Sequence, residues 1–287
     1  MHTTPLNGIE IRGLSGALGA EILGMDLSRP LSGAETELLL NSFYRYGVLC
    51  IRDQKLTHDS QIALAKIFGT PDVHPIANGM EDHPELIRVM KPAGEQAFFG
   101  TSWHTDNSFF ERPSSVTVLY GSEIPPVGGD TVYASMERAW ELLSEPLKTF
   151  LEPLEAVHSA REAFDPRTTG DAKYNGETAI TYTYSDAIYE ETVHPVVRTH
   201  PITGRKSLYV NEMFTQQIVG LSKPESDGLL AMLYQVSTRP ELTCRVRWET
   251  GTVTIWDNRW LQHYAIDDYP DYDRLMYRVT ITGERPV

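Results

Sequence analysis

From about residue 86 onward, apolar and polar positions alternate in short runs rich in Val, Ile, Thr and Tyr. They are ELIRVMK, SSVTVLYGSEI, DTVYAS, TAITYTY, SLYVN, TCRVRWE, TVTIWD and LMYRVTITG. Successive side chains on a strand point to opposite faces, so each run reads as a strand, and the Gly and Pro residues between them read as turns. Many such strands predict a sandwich or barrel. Ahead of them the period changes. In SGAETELLLNSFYRYG the apolar residues recur at helical spacing, Ser32 and Glu35 are spaced as a capping box, and Gly47 ends the helix. VLCIRD is a short, nearly continuous apolar run and reads as a buried strand. THDSQIALAKIFGTP predicts a second helix, with Gly69 and Pro71 as stop signals. Two further helices, 135–154 and 222–238, interrupt the strands, and the polar segment 164–177 reads as a loop or lid. No repeat or linker divides the chain, so residues 1–287 read as one domain, mainly β with flanking helices.

Charge and composition narrow the function classes. A net charge of −14 repels phosphate backbones and argues against a nucleic-acid partner, but leaves a small anionic substrate open because a pocket's field is local. Cys50 and Cys244 form no CxxC pair, which excludes a thiolate cluster and suits two free thiols in a reducing compartment. No basic start leads into an apolar run, and no stretch of about 18 apolar residues occurs. The expectation is a cytoplasmic protein with no membrane span.

The chemistry concentrates in GTSWHTDNSFF, residues 100–110. On a strand His104 and Asp106 project to one face, offering an imidazole and a carboxylate. Two imidazoles and one carboxylate on one face, with open positions opposite, form the triad of non-haem Fe(II) oxygenases. A third ligand must come from elsewhere, and His263, just past the apolar strand 252–256, supplies one. His194 and His200 in HPVVRTHP are rivals; each precedes a proline that favours loop geometry, and both read as structural. In DRLMYRVTITG, Arg274, Met276 and Arg278 share one strand face. Buried guanidinium groups need partners, either carboxylates of the chain or bound anions held bidentately. Two arginines near one metal would then serve a cosubstrate and a substrate. Trp103, Trp256 and Phe109 read as core packing beside the ligands.

These segments, WHTD, GGDT (128–131), HPVVRTHP, LYVNEMF, WDNRWLQHYA and RLMYRVTITGERP, resemble the taurine dioxygenase family of Fe(II)- and 2-oxoglutarate-dependent enzymes. That group includes alkylsulfatases and phenoxyalkanoate dioxygenases, among them 2,4-dichlorophenoxyacetate dioxygenase. The resemblance runs from LGAEI to GERP. It implies a double-stranded β-helix (jelly roll, cupin-like) with helices outside, using Fe(II), 2-oxoglutarate and O2. It implies His104, Asp106 and His263 as iron ligands, and Thr131 and Arg274 as partners of the 2-oxoglutarate C5 carboxylate. It places Arg278, His74, Asn107, Phe164 and Phe214 around the substrate. Ala77 and Gly100 stand where taurine dioxygenase has a tyrosine and an asparagine, and Asn107 where it has a valine, which speaks against taurine itself. The implied reaction hydroxylates a C–H of a small anionic sulfonate, sulfate ester or carboxylate, often with fragmentation. Phenoxyalkanoate ether cleavage and natural-product or amino-acid hydroxylation are the alternatives on the same scaffold, and a non-catalytic metal-binding jelly roll is the rival from another class. The resemblance also implies a homodimer or homotetramer.

Overall fold

A computed structural model describes residues 8–95, 100–165 and 185–287. The strand expected at 178–184, and all of the expected lid beyond Asp165, lie outside the described residues.

The N-terminal third is built as its pattern demands. Helix α1 (Gly33–Tyr46) starts at Ser32, whose hydroxyl accepts the Glu35 N–H at 3.3 Å while the Glu35 carboxylate accepts the Ser32 N–H at 2.8 Å. Gly47 ends it with φ +72°, and a Cβ there would meet the Trp260 ring at 2.2 Å, so only glycine lets the chain turn directly into β3 (Val48–Ile51). Helix α2 (His58–Ala65) follows, capped by Thr57.

A seven-stranded sheet takes the order β1-β2-β3-β13-β5-β15-β4. Its members are β1 (Glu10–Gly13), β2 (Ala20–Leu23), β3, β4 (Leu86–Lys91), β5 (Val116–Glu123), β13 (Val253–Asp257) and β15 (Arg274–Ile281). All neighbours are antiparallel except β2 and β3. Strand alternation sorts its faces. Leu49, Ile51, Val118, Ile255, Val279 and Ile281 pack outward in one core with Leu39 and Phe43 of α1 and Ile62 and Leu64 of α2. Val48, Cys50 and Trp256 point inward and pack on Tyr133, Cys244, Val246 and Leu261. Those four belong to a second sheet, β12 (Thr243–Val246), β6 (Thr131–Ser135) and β14 (Leu261–Ala265), in the order β12-β6-β14. Two facing, mostly antiparallel layers with helices outside make the jelly roll that the resemblance implies. Both thiols are free and buried between the layers, and burial pushes each up to about 12.

A third sheet, β11 (Thr215–Ile218), β7 (Glu155–His158) and β8 (Thr192–Pro195), and the hairpin of β9 (Val197–Thr199) and β10 (Lys206–Leu208), complete the strands. A separate apolar core joins Ala156, Val197, Leu208 and Ile218 of these strands to helices α3 (Met136–Leu142), α4 (Glu145–Leu151) and, beyond the single turn α5 (Arg161–Phe164), α6 (Lys223–Ser237). The helix expected over 135–154 is thus two. Ser144 begins α4 with Pro146 in its first turn, and a proline there could not donate within one continuous helix.

Candidate active site

The metal-ligand candidates converge where the two layers open. A ligand atom from each of His104, Asp106 and His263 lies within 4.8 Å of the others, and all three side chains are buried. His104 is not in a regular strand. It forms one antiparallel bridge with His263, with N–H···O distances of 3.0 and 2.8 Å, at the edge of β14. The chain then turns at Asp106, and Asn107 takes φ +58°. So the shared-face expectation was right in its result and wrong in its cause: a bridge and a turn, not a continuous strand, bring His104 and Asp106 together. His263, expected just past a strand, lies in the middle of β14.

Each ligand is oriented. His104 Nδ1 donates to the Ser102 carbonyl at 2.8 Å, which leaves Nε2 as the lone-pair nitrogen, 3.7 Å from Asp106 Oδ1. His263 Nε2 lies 3.8 Å from the same oxygen, with its ring stacked on Tyr133 and tilted on Trp256. Burial lowers the pKa of both imidazoles, His263 to about 3, so at neutral pH both are neutral donors. Burial works against the Asp106 charge, but His263, Arg278, His104 and the Thr117 hydroxyl outweigh it and hold the carboxyl at about 2. With the imidazoles neutral, Arg278 and Thr117 are the partners that remain. Thr117 donates to Asp106 Oδ2 at 2.6 Å and accepts Asn258 Nδ2 at 2.8 Å, and Asn258 Oδ1 accepts the Trp256 indole N–H at 2.9 Å. Oδ2 is thereby occupied and Oδ1 faces the imidazoles. The donor set fits a divalent iron bound on one face.

The two arginines also lie as the alternation predicts. Arg274 is 5% exposed yet has no carboxylate within ion-pair distance among the described residues. Other buried cations are paired: Lys91 with Asp267, Arg198 with Glu284, Arg259 with Asp257. Arg274 instead donates to the Gly129 carbonyl at 3.2 Å and lies between the rings of Trp248 and Tyr269, each 5.7 Å away. Trp248 donates its indole N–H to Thr131 Oγ1 at 3.0 Å, which ties Thr131 to this arginine's surroundings. Arg278 meets Asp106 Oδ1 only at 3.9 Å. Its charge reaches His74, where burial first and Arg278 second lower the imidazole to about 4. His74 Nε2 lies 3.0 Å from Asn107 Oδ1.

An apolar wall adjoins His104. Phe214 stands 6.3 Å from its ring, Phe109 4.9 Å from Phe214, and Phe164 is stacked on Phe214 at 6.4 Å; Ile76 and Ala77 belong to the same cluster. Trp256 and Phe109 are core as expected, whereas Trp103 is only partly buried against Tyr264. The rival histidines have other work. His200 pairs with Asp257 at 3.0 Å, and His194 Nε2 donates to the Phe110 carbonyl at 2.9 Å. Thr117, Asn258 and Trp248 escaped the sequence reading. The available signal was a polar residue on the inward face of an apolar strand, as Thr117 is in β5.

A jelly roll holding two imidazoles and a carboxylate, beside a buried arginine without a carboxylate partner among the described residues, fits a mononuclear metal oxygenase with an anionic cosubstrate. Residues 10–280 match the family described as taurine catabolism dioxygenase TauD, TfdA family, and the chain belongs to it. It is 37% identical to an alkylsulfatase of Acinetobacter baylyi, over 98% of this chain and 87% of that one. It is also 37% identical to an alpha-ketoglutarate-dependent sulfate ester dioxygenase of Pseudomonas putida, over 97% and 91%. Among solved structures, a taurine dioxygenase from Burkholderia xenovorans superposes with a TM-score of 0.82 at 36% identity, covering 97% of this chain and 92% of that one. AAD-2 in complex with Mn(II) and N-oxalylglycine superposes with a TM-score of 0.78 at 28% identity, over 97% and 98%. The chain is a 2-oxoglutarate-dependent dioxygenase, and Fe(II), 2-oxoglutarate and O2 are its cofactor and cosubstrates.

Proposed function

We propose that this dioxygenase hydroxylates a C–H of a small organic anion bearing a sulfonate, sulfate ester or carboxylate group. The observation that carries this is Arg278: a largely buried guanidinium beside the metal ligands whose nearest carboxylate among the described residues, Asp106, is 3.9 Å away. A cation so placed is costly without a bound anion. His104, Asp106 and His263 would hold the iron, and Arg274 with Thr131 the far carboxylate of 2-oxoglutarate. Iron and 2-oxoglutarate together supply O2 activation strong enough to hydroxylate an unactivated C–H. Arg278 fixes the anionic end of the substrate, with His74 and Asn107 on its flank. Phe164 and Phe214 line the apolar side and exclude water from the reacting carbon. When that carbon also bears a sulfonate sulfur or an ester or ether oxygen, its hydroxylated form collapses to a carbonyl and releases the group. Residues 1–287 act as one catalytic domain; a homodimer or homotetramer is the proposed assembly, which light scattering would check.

The test loads the protein anaerobically with Fe(II) and 2-oxoglutarate and follows the visible charge-transfer absorption as taurine, an alkyl sulfate, both phenoxypropionate enantiomers and phenoxyacetate are added in turn. A change with at least one acid is expected. Arg278→Ala is expected to raise KM for that acid far more than for 2-oxoglutarate, and Arg274→Ala the reverse. Equal effects would defeat this division of labour.

A further inference from the structure

His74, a buried imidazole within reach of the Arg278 charge, has no donor left to give. Its Nδ1 accepts the backbone N–H groups of Ile76 at 3.1 Å and Ala77 at 2.9 Å. A ring nitrogen that accepts carries no proton, so the proton of the neutral imidazole sits on Nε2. That N–H points to Asn107 Oδ1 at 3.0 Å. The other end of the amide is fixed in turn, because Asn107 Nδ2 donates to Ser114 Oγ at 2.9 Å. His74, Asn107 and Ser114 are all buried. The backbone of Asn107, at φ +58°, is in the left-handed region that Asn tolerates and β-branched residues resist. Together these hydrogen bonds determine both the tautomer of His74 and the orientation of the Asn107 amide.

Arg278 is the contrast. Its Nε has no hydrogen-bond partner among the described residues, and Asp106 is too far for a hydrogen bond. A guanidinium fork presents parallel N–H groups that match the two oxygens of a carboxylate. A sulfonate or sulfate ester presents three oxygens, and the third needs a donor of its own. By the resemblance His74 is the side chain on that flank of the substrate, and its one N–H is already bound. Resting on the reading that Arg278 receives the anionic end of the substrate, we infer that Asn107 is a specificity-determining residue. It keeps the His74 N–H from the substrate, so the site takes a carboxylate in preference to a sulfate ester or sulfonate.

The test uses the full chain with Fe(II) and 2-oxoglutarate, without O2, and reads dissociation constants for hexanoate and hexane-1-sulfonate from the visible absorption. The wild type is expected to bind hexanoate about tenfold more tightly, the size of one hydrogen bond to a charged group. Equal affinity, or a sulfonate preference, overturns the inference. Asn107→Gly suits the left-handed backbone and removes the acceptor, and it is expected to move the ratio about tenfold toward the sulfonate. Ser114→Ala, which frees only the far end of the amide, is expected to move it less and in the same direction. In a His74→Phe background Asn107→Gly is expected to have no such effect. A shift that persists there would trace the gain to added space and not to the His74 N–H, and would overturn the inference. Arg278→Ala separates the two layers of the reading. If it leaves both affinities unchanged, the assignment of Arg278 fails; if it weakens both while Asn107→Gly leaves the ratio unmoved, only the role of Asn107 fails.

Discussion

Thr117→Val removes one hydroxyl from the metal centre and almost no volume. In the folded protein that hydroxyl donates to Asp106 Oδ2 at 2.6 Å, and the carboxylate is fully buried. A hydrogen bond to a buried charge contributes about 1.5–3 kcal/mol. Without it the nearest cation, Arg278 at 3.9 Å, is free to draw the carboxylate into a direct ion pair. A metal must then break that pair before it can use Oδ1. At about 1.4 kcal/mol per factor of ten, the loss corresponds to a roughly 10–100-fold weaker metal, the range typical when a partner behind a ligand is removed. Calorimetric titration of the apoprotein with Mn(II), which needs no exclusion of air, reads this directly. Thr117→Ser keeps the hydroxyl and is expected to bind metal within a fewfold of the wild type. A Thr117→Val protein that folds normally and binds Mn(II) within twofold of the wild type would refute the claim that Thr117 aims the carboxylate.

Asp106→Ala is expected to abolish turnover and Mn(II) binding together, since it deletes a ligand and its charge; retained metal affinity in titration would overturn the triad. Trp248→Phe keeps a ring against Arg274 but removes the N–H that Thr131 accepts at 3.0 Å. It is expected to raise KM for 2-oxoglutarate severalfold with little change for the acid substrate, measured in steady state. Asp257 is buried, which opposes its charge, but Arg259 and His200 prevail and hold it at about 2, below the ordinary 3.8. A carboxyl lowered on folding stabilises the protein above its unfolded pKa, so about 2 kcal/mol should be present above pH 4 and lost as pH falls toward 2. Urea midpoints across that range, with Asp257→Asn as the flat control, check the sign.

The elements with strong local signals were legible in the chain. The Ser32–Glu35 capping box marks α1, the run THDSQIALAKIFGTP holds α2, and the alternation of Arg274, Met276 and Arg278 places both guanidinium groups on the inward face of β15. The His104, Asp106 and His263 set could be named because the residue types suit one metal. Its geometry could not be read, because it depends on a single bridge and a turn, and neither has a periodicity. The break at Ser144 was missed because apolar spacing continues across Pro146. The hydrogen-bond relay of Thr117, Asn258 and Trp256 was hidden because Thr117 comes from β5 and the other two from β13 and the turn that follows it. His74 and Asn107 could be placed near the substrate by resemblance, but that they bind each other is visible only when both side chains are seen.

The bridge between His104 and His263 has a mechanical side. The segment 100–105 is laced to β14 by backbone bonds at Gly100 and His104 and by Thr105 Oγ1 to the Leu261 carbonyl. One imidazole sits on each side of that lacing, on stretches far apart along the chain. An ion shared between them is a cross-link, tying a long loop shut much as a disulfide would, and such clips stabilise most when the loop is long. Chelation would therefore loosen the seam along β14 as well as silence the chemistry. Melting temperature with and without metal becomes a gauge of site assembly, readable before any substrate is known.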